Sequence, residues 1–307
     1  MTMTARGLAE ARHLLLTDLE SARSWPVTPD MPTGAVGAWM ASGPDDVAAL
    51  AAADLFAVAP DACVLAGAAA PDLPATYRPA PADIPARAGL MVWESPVLTV
   101  PDQTDGGRPL DVSAAFWRFV IGRTGQAGVG FHLYSATPSV RPLSTWRSPL
   151  VPVRYGSLAL GDGTPADPWS IPDPDADRGL RFLLSTWLLM AQGATDEAAA
   201  PVSPDRTRLA RTLAKRGRPL AAVRVVDLHR AAAGSAASSG RTVSVRYAVR
   251  GHWRNQAYGP ARTLRRPVWV HPHVRGPEDA PWSGGTTVAR LRAPADEAPP
   301  PPSTPTT

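Results

Sequence analysis

The chain has 307 residues, of which 44% are hydrophobic, and it carries a formal net charge of +4. This share of apolar residues is enough for a sizeable core and excludes a wholly disordered protein. A single cysteine, Cys63, excludes an internal disulfide framework and a cysteine-rich zinc site.

Hydropathy gives no indication of a membrane protein. No apolar run approaches the roughly 18–20 residues of a membrane span, and the longest candidate, residues 180–191, is typical of a core helix. Charged residues interrupt any apolar segment near residue 1, so no secretory signal is expected. We therefore expect a cytoplasmic protein with no membrane partner.

The first third of the chain has helical patterns. Leucines recur at helical spacing over residues 3–24, and residues 45–69 predict two short alanine-rich helices. The proline-rich stretch 71–86 predicts a connector without regular structure.

The middle of the chain predicts strands. Residues 89–100 form a strand pattern that Pro96 interrupts, and residues 114–121 and 128–135 form two more, joined through glycines. Residues 150–160 are expected to add an edge strand. Together these segments indicate a central antiparallel sheet.

Two helices and further strands are predicted beyond this sheet. Residues 178–192 indicate a buried helix, and residues 204–216 an arginine-rich helix with Ser203 or Asp205 as its N-cap. Strand patterns then follow at residues 221–229, 242–250, 267–274 and 286–292. We therefore predict an α+β fold with N-terminal helices, a central antiparallel sheet, a basic strand-rich C-terminal part and a disordered tail.

Charge divides the chain into regions. Residues 204–292 hold 18 basic and 4 acidic residues, a net charge of +14, whereas residues 1–203 have a net charge of −8. We predict an acidic α+β region (1–203), a basic strand-rich region (204–292) and a disordered tail (293–307). The asymmetry favours an anionic partner, or equally the mutual neutralisation of the two regions. Since 30 of the 31 basic residues are arginine, a GC-rich genome also explains part of the bias.

The densest group of candidate binding residues lies at 250–276, which holds six arginines, three histidines, two tryptophans and one tyrosine. Guanidinium groups bind phosphates and aromatic rings stack on unpaired bases, so this segment could bind nucleic acid. Alternatively, it forms a structural hairpin, or His252, His271 and His273 bind a metal. The candidate contact residues are Arg246, Arg250, His252, Trp253, Arg254, Tyr258, Arg262, Arg265, Arg266 and Trp269.

The same segment carries a motif. It reads R-x-H-W at 250–253, Tyr-Gly at 258–259, and basic-x-x-W-V at 266–270 with Pro272 after it. This pattern resembles the C-terminal signature of an anti-CRISPR-like family whose named member suppresses the type V CRISPR effector nuclease. Weaker similarities lie at residues 89–93 and in the apolar run 180–191.

The resemblance implies a non-enzymatic regulator from actinobacterial mobile elements or phage defence. It would lower production of the nuclease by acting at the nascent chain and its message. We accordingly expect RNA, another anionic partner or a nascent protein chain as the partner, with no cofactor and no catalytic residue. The alternatives are a metal-assisted hydrolase using the three histidines, and a structural or interaction protein with no nucleic-acid role.

Overall fold

The computed structural model describes residues 4–26, 33–102, 107–122, 125–136, 145–162, 169, 171–193, 195–197, 207–215, 220–228 and 246–277. The predicted strand at 286–292, the tail, Ser203 and Asp205 lie outside these residues. The chain divides into two units, residues 1–234 with 251–270, and residues 235–250 with 271–307. The predicted charge boundary between residues 203 and 204 stays a prediction.

The first unit contains both helices and strands. Its helices are α1 (Ala5–Ala22), α2 (Thr33–Ala41), α3 (Pro44–Ala52), α4 (Pro60–Ala69), α5 (Pro174–Ala191) and α6 (Arg208–Lys215). The strands of the first unit are β1 (Asp54–Val58), β2 (Ala88–Trp93), β3 (Leu98–Pro101), β4 (Pro109–Ile121), β5 (Ala127–Ser135), β6 (Val151–Ala159), β7 (Thr195–Glu197), β8 (Arg224–Leu228), β10 (His252–Tyr258) and β11 (Leu264–Val270). The second unit contributes β9 (Tyr247–Val249) and β12 (His273–Arg275), which pair antiparallel.

Eight strands form one mixed sheet. Its order is β6-β5-β4-β2-β1-β8-β7, and β3 pairs with the first half of β4. Strand β1 runs parallel to both β2 and β8, while the other pairs are antiparallel. The α+β prediction is confirmed, as is the position of β6 at one edge. The sheet is mixed rather than wholly antiparallel because α4 connects β1 to β2 as a crossover.

Strand β1 corrects the prediction that residues 45–69 hold two helices. The alanine-rich stretch contains α3 and α4, but residues 54–58 between them form a strand whose last four residues are buried. A short apolar run is ambiguous between a helix and a buried strand. Pairing with β2 on one side and β8 on the other stabilises the strand at this position.

Helices cover both faces of the sheet. Arg118 of β4 forms an ion pair with Asp46 of α3, at 2.5 Å between Nε and Oδ1. The preceding residue, Trp117, lies edge-on against Trp187 of α5, with ring centroids 5.0 Å apart. Because successive strand side chains point to opposite faces, α3 and α5 cover opposite sides.

Helix α5 is the central element of the core, as the apolar run at 180–191 predicted. Most of its residues from Leu180 to Leu189 are buried. The Asp173 side chain caps the helix by accepting hydrogen bonds from the amides of Asp175 and Ala176. Among the described residues, no helix is both long and apolar enough to cross a bilayer.

Candidate nucleic-acid interface

The basic segment folds into an antiparallel hairpin. We call residues 252–270 the basic hairpin; it consists of β10, the connecting loop and β11. Trp253 pairs directly with Trp269 across the two strands, and Tyr258 pairs with Leu264 near the loop. Along β10, Trp253 alternates with exposed His252 and Arg254, as the sequence predicted.

The two tryptophans attach the hairpin to the rest of the first unit. Their rings pack edge to face, with centroids 5.2 Å apart and planes inclined at 65°. Trp269 is 7% exposed, and the indole Nε1 of Trp253 donates a hydrogen bond of 2.8 Å to the carbonyl of Ala69 at the end of α4. Both rings are therefore held in protein contacts rather than presented to a partner.

Gln192 binds the backbone of β11. Its side-chain Nε2 donates to the carbonyl oxygen of Pro267 at 2.7 Å, and its Oε1 accepts from the amide of Trp269 at 2.9 Å. Gln192 lies at the C-cap of α5, so one side chain joins the core helix to the hairpin. A fixed hairpin presents its exposed side chains at defined positions.

Arg266 is neutralised within the protein. Its Nη2 lies 2.5 Å from Oδ1 of Asp83, a buried carboxylate. Oδ2 of Asp83 accepts hydrogen bonds from the Tyr77 hydroxyl at 2.7 Å and from the Ala80 amide at 3.0 Å. Burial, together with the charge and hydrogen bond of Asp83, raises the pKa of Tyr77. Arg266 therefore has a structural contact in addition to the partner contact that the sequence suggested.

The other arginines of the hairpin are exposed. Arg254, Arg262 and Arg265 have no described carboxylate within ion-pair distance. Tyr258 is 36% exposed. Three cations and a tyrosine thus lie on one short hairpin without a described acidic partner, which gives the surface a positive potential.

The loop of the hairpin has an unusual backbone. Gly259 has φ of 74°, and the two non-glycine residues Ala261 and Arg262 have φ of 49° and 54°. Left-handed conformations of this kind are disfavoured for side chains with a Cβ atom. The Arg265 guanidinium donates to the Arg262 carbonyl at 2.7 Å, which fixes the second half of the loop.

The remaining predicted residues fall in different places. His252 is exposed at the start of β10, while Arg246, Arg250, His271 and His273 belong to the second unit. The predicted strand 267–274 is divided, because β11 ends at Val270 and β12 begins at His273. In that unit Nδ1 of His273 contacts the carbonyl oxygen of His271 at 2.9 Å.

The geometry does not favour the metal-binding alternative. Within the described part of the chain, no group of three histidine, cysteine, aspartate or glutamate side chains could hold a metal ion. His252 belongs to the first unit, whereas His271 and His273 belong to the second.

Sequence reasoning missed the residues that hold the hairpin. Asp83 lies in a proline-rich connector, and Gln192 follows an apolar helix, where a polar residue is ordinary. Gln192 is 75 residues from Pro267, and Ala69 is 184 residues from Trp253. Nothing in the local pattern of either segment signals such distant contacts.

Comparison with known proteins gives one match. The sequence model of the AcrVA2-like family, described as the Anti-CRISPR type V subtype A2 family, matches residues 157–275. The match covers less than half of the chain, and it includes α5, Gln192 and the whole basic hairpin. No curated protein and no solved structure matches the chain significantly. The family match confirms the resemblance found in the sequence and supports the assignment of this chain to an anti-CRISPR-like family.

Proposed function

We propose that this protein is a non-enzymatic anti-CRISPR regulator directed against a type V nuclease, and that its basic hairpin binds RNA. The observation that carries the proposal is that Arg254, Arg262 and Arg265 of one short hairpin are exposed with no described carboxylate beside them, and that Tyr258 of the same hairpin is partly exposed. The group lies inside the region that matches the anti-CRISPR family. RNA present in the cytoplasm is the expected partner.

The chemistry of the exposed side chains favours a phosphate-bearing partner. Arginine binds phosphate through charge-assisted hydrogen bonds from a planar fork, and an aromatic ring adds stacking on a base. A polypeptide partner would instead need an apolar contact area at the centre of its interface. The hairpin buries its two tryptophans against the protein and leaves mainly polar side chains exposed. A nascent protein chain is therefore the second candidate.

The proposal assigns fewer contact residues than the sequence suggested. Arg254, Tyr258, Arg262 and Arg265 are assigned to the partner, while Trp253, Trp269 and Arg266 position the hairpin. Arg246, Arg250 and His252 have contacts of their own within the protein and remain secondary candidates.

The first test is the nucleic acid that accompanies the protein through purification. The ratio of nucleic-acid to protein ultraviolet absorbance is measured after preparation at low and at high salt. The proposal expects RNA at low salt and its loss at high salt, because phosphate contacts release counterions. Protein free of nucleic acid at both salt concentrations, together with a polypeptide captured through the hairpin, would make the nascent chain the partner instead of RNA.

Matched variants locate the contact. Arg262→Gln with Arg265→Gln removes two charges from the hairpin. Arg6→Gln with Arg147→Gln removes two charges from exposed sites outside it. We expect the first pair to reduce RNA co-purification and the second to leave it unchanged. Equal losses would indicate that net charge alone, rather than the hairpin, retains the RNA.

A further inference from the structure

We propose that the basic hairpin selects unpaired RNA over duplex RNA, with Tyr258 stacking on one base, Arg254 on the same side of the hairpin holding a phosphate of that strand, and Arg262 and Arg265 holding phosphates where the strand passes the tip. This inference rests on the proposed function and names the form of RNA that the hairpin binds. Four features of the hairpin support it.

The first feature is the partial exposure of Tyr258. Among the described side chains, no aromatic ring stacks on Tyr258, although seven other aromatic pairs occur. More than a third of the side chain is exposed. Base stacking on a tyrosine requires a base whose face is accessible, as in a single strand. In an A-form duplex both faces of an internal base are covered by its neighbours.

The second feature is the row of side chains along β10. Arg254, Gln256 and Tyr258 are alternate residues, so all three point to the same side of the strand, and all three are exposed. Alternate residues on a strand are separated by roughly 6.6 Å. This stride is comparable with the distance between successive phosphates of an extended nucleic-acid strand. Arg254 and Tyr258 are two such steps apart, roughly 13 Å, so the cation and the ring suit a phosphate and a base about two nucleotides apart on one strand.

The third feature is the size of the surface. β10 contains seven residues, which span roughly 23 Å at the usual rise of a strand. Modules that recognise duplex RNA by shape cover about 16 base pairs and reach two successive minor grooves. The hairpin is too short for that footprint, and its single short 3₁₀ turn at Pro260–Arg262 is not a helix that could cross a groove. A few unpaired nucleotides fit its length.

The fourth feature is the strained loop. Ala261 and Arg262 are adjacent and both left-handed, and the Arg262 side chain is exposed. Strained backbone of this kind is found where a side chain must be held in one direction for function. The hydrogen bond from Arg265 to the Arg262 carbonyl fixes both arginines at the tip of the hairpin. In this proposal β10 and the loop at the tip of the hairpin contact one RNA strand that bends around the tip.

The experiment compares two forms of one RNA with the full chain. A fluorescently labelled oligonucleotide of about ten nucleotides, within the usual site sizes, is titrated alone and annealed to its complement, at one salt concentration. We expect the single strand to bind at least about 10-fold more tightly than the duplex. Tyr258→Ala should weaken single-strand binding by about 5- to 100-fold, whereas Tyr258→Phe, which keeps a ring, should bind within about threefold of the wild type.

The outcomes separate this inference from the proposed function. Duplex that binds as tightly as the single strand, or Tyr258→Ala that binds like the wild type, overturns the selection of unpaired RNA and leaves RNA binding intact. Absence of binding to both forms overturns both proposals. A wild-type rate of hydrogen exchange at the Trp269 amide, which donates to Gln192, verifies that the variants keep the hairpin folded.

Discussion

Arg266 of the basic hairpin and Asp83 of the proline-rich connector form an ion pair, with 2.5 Å between Nη2 and Oδ1. The carboxylate is buried and the guanidinium is one-third exposed. The contact joins the candidate interface to the α+β core and removes one hairpin arginine from the charges offered to a partner. The stability of the hairpin and its binding capacity therefore depend on different arginines.

The Arg266–Asp83 pair can be tested by comparison with Arg254, an exposed arginine of the same hairpin. Arg266→Gln leaves the buried Asp83 carboxylate without its counter-charge and should lower the free energy of unfolding by about 2 kcal/mol. Arg254→Gln changes an exposed side chain and should alter the free energy of unfolding by less than about 0.5 kcal/mol. Urea unfolding of both variants gives the difference. Equal effects would mean that the ion pair contributes nothing specific.

Gln192 should stabilise the hairpin through its two backbone contacts. Gln192→Met keeps a similar shape but leaves the Pro267 carbonyl and the Trp269 amide without these partners, so we expect a loss of about 1–3 kcal/mol. The amide of Trp269 should also exchange its hydrogen faster. The control is Gln256→Met, because Gln256 is exposed and bonds only to its neighbour's carbonyl among the described residues. A neutral Gln192→Met variant would contradict this role.

Two helical glycines should respond to alanine in opposite directions. A Cβ atom at Gly37 of α2 would lie 2.1 Å from the backbone carbonyl oxygen of Pro152 in β6, so Gly37→Ala should destabilise the fold by about 1–3 kcal/mol. At Gly67 of α4 the nearest atom is 3.4 Å away, on the Phe182 ring. Gly67→Ala should stabilise by about 0.5–1 kcal/mol, since alanine is the better helix former. Thermal unfolding curves measure the change in stability of each variant. A stability change of the same sign in the two variants would contradict the close approach of α2 to β6.

His132 should make folding sensitive to acid. Burial, together with the nearby Arg118, lowers the pKa of His132 to about 4, although Asp46 opposes the shift. The unfolded chain has the ordinary histidine pKa and binds the proton first. The contribution of neutral His132 to the free energy of unfolding is therefore fully present above about pH 6.5. It is lost as the pH falls toward 4, which lowers the free energy of unfolding by up to about 3 kcal/mol.

His132→Phe isolates this effect. Phenylalanine does not titrate, and it can keep the stacking on Phe116, whose ring centroid lies 6.2 Å from that of His132. The unfolding free energy of the variant should fall less steeply with acid than that of the wild type across the same range. Parallel curves would show that carboxylates alone cause the acid sensitivity.

The sequence predicted the elements with strong local patterns. The leucine spacing of α1, the apolar run of α5 and the alternation around Trp253 all correspond to observed elements. It missed β1, because the short run Asp54–Val58 between alanine-rich helices, four of whose five residues are apolar, acquires strand structure from pairing with β2 and β8. Local periodicity contains no information about that pairing.

The candidate interface was predicted in composition but not in arrangement. The sequence placed arginines and aromatic residues together, and it could not distinguish Arg266, which pairs with Asp83, from exposed Arg265. Nor could it show that the predicted strand 267–274 is interrupted at Pro272, so that β11 ends at Val270 and β12 begins at His273. These distinctions depend on contacts between residues far apart in the chain.

The most direct test of RNA binding by the basic hairpin is its salt dependence. The affinity of the full chain for single-stranded RNA is measured over a range of salt concentrations, for the wild type and for a variant with Arg254→Gln, Arg262→Gln and Arg265→Gln. Each lost phosphate contact should reduce the slope of log affinity against log salt by about 0.7, so we predict a reduction of about 2. An unchanged slope in the triple variant, or no RNA binding by the wild type at low salt, would contradict the account.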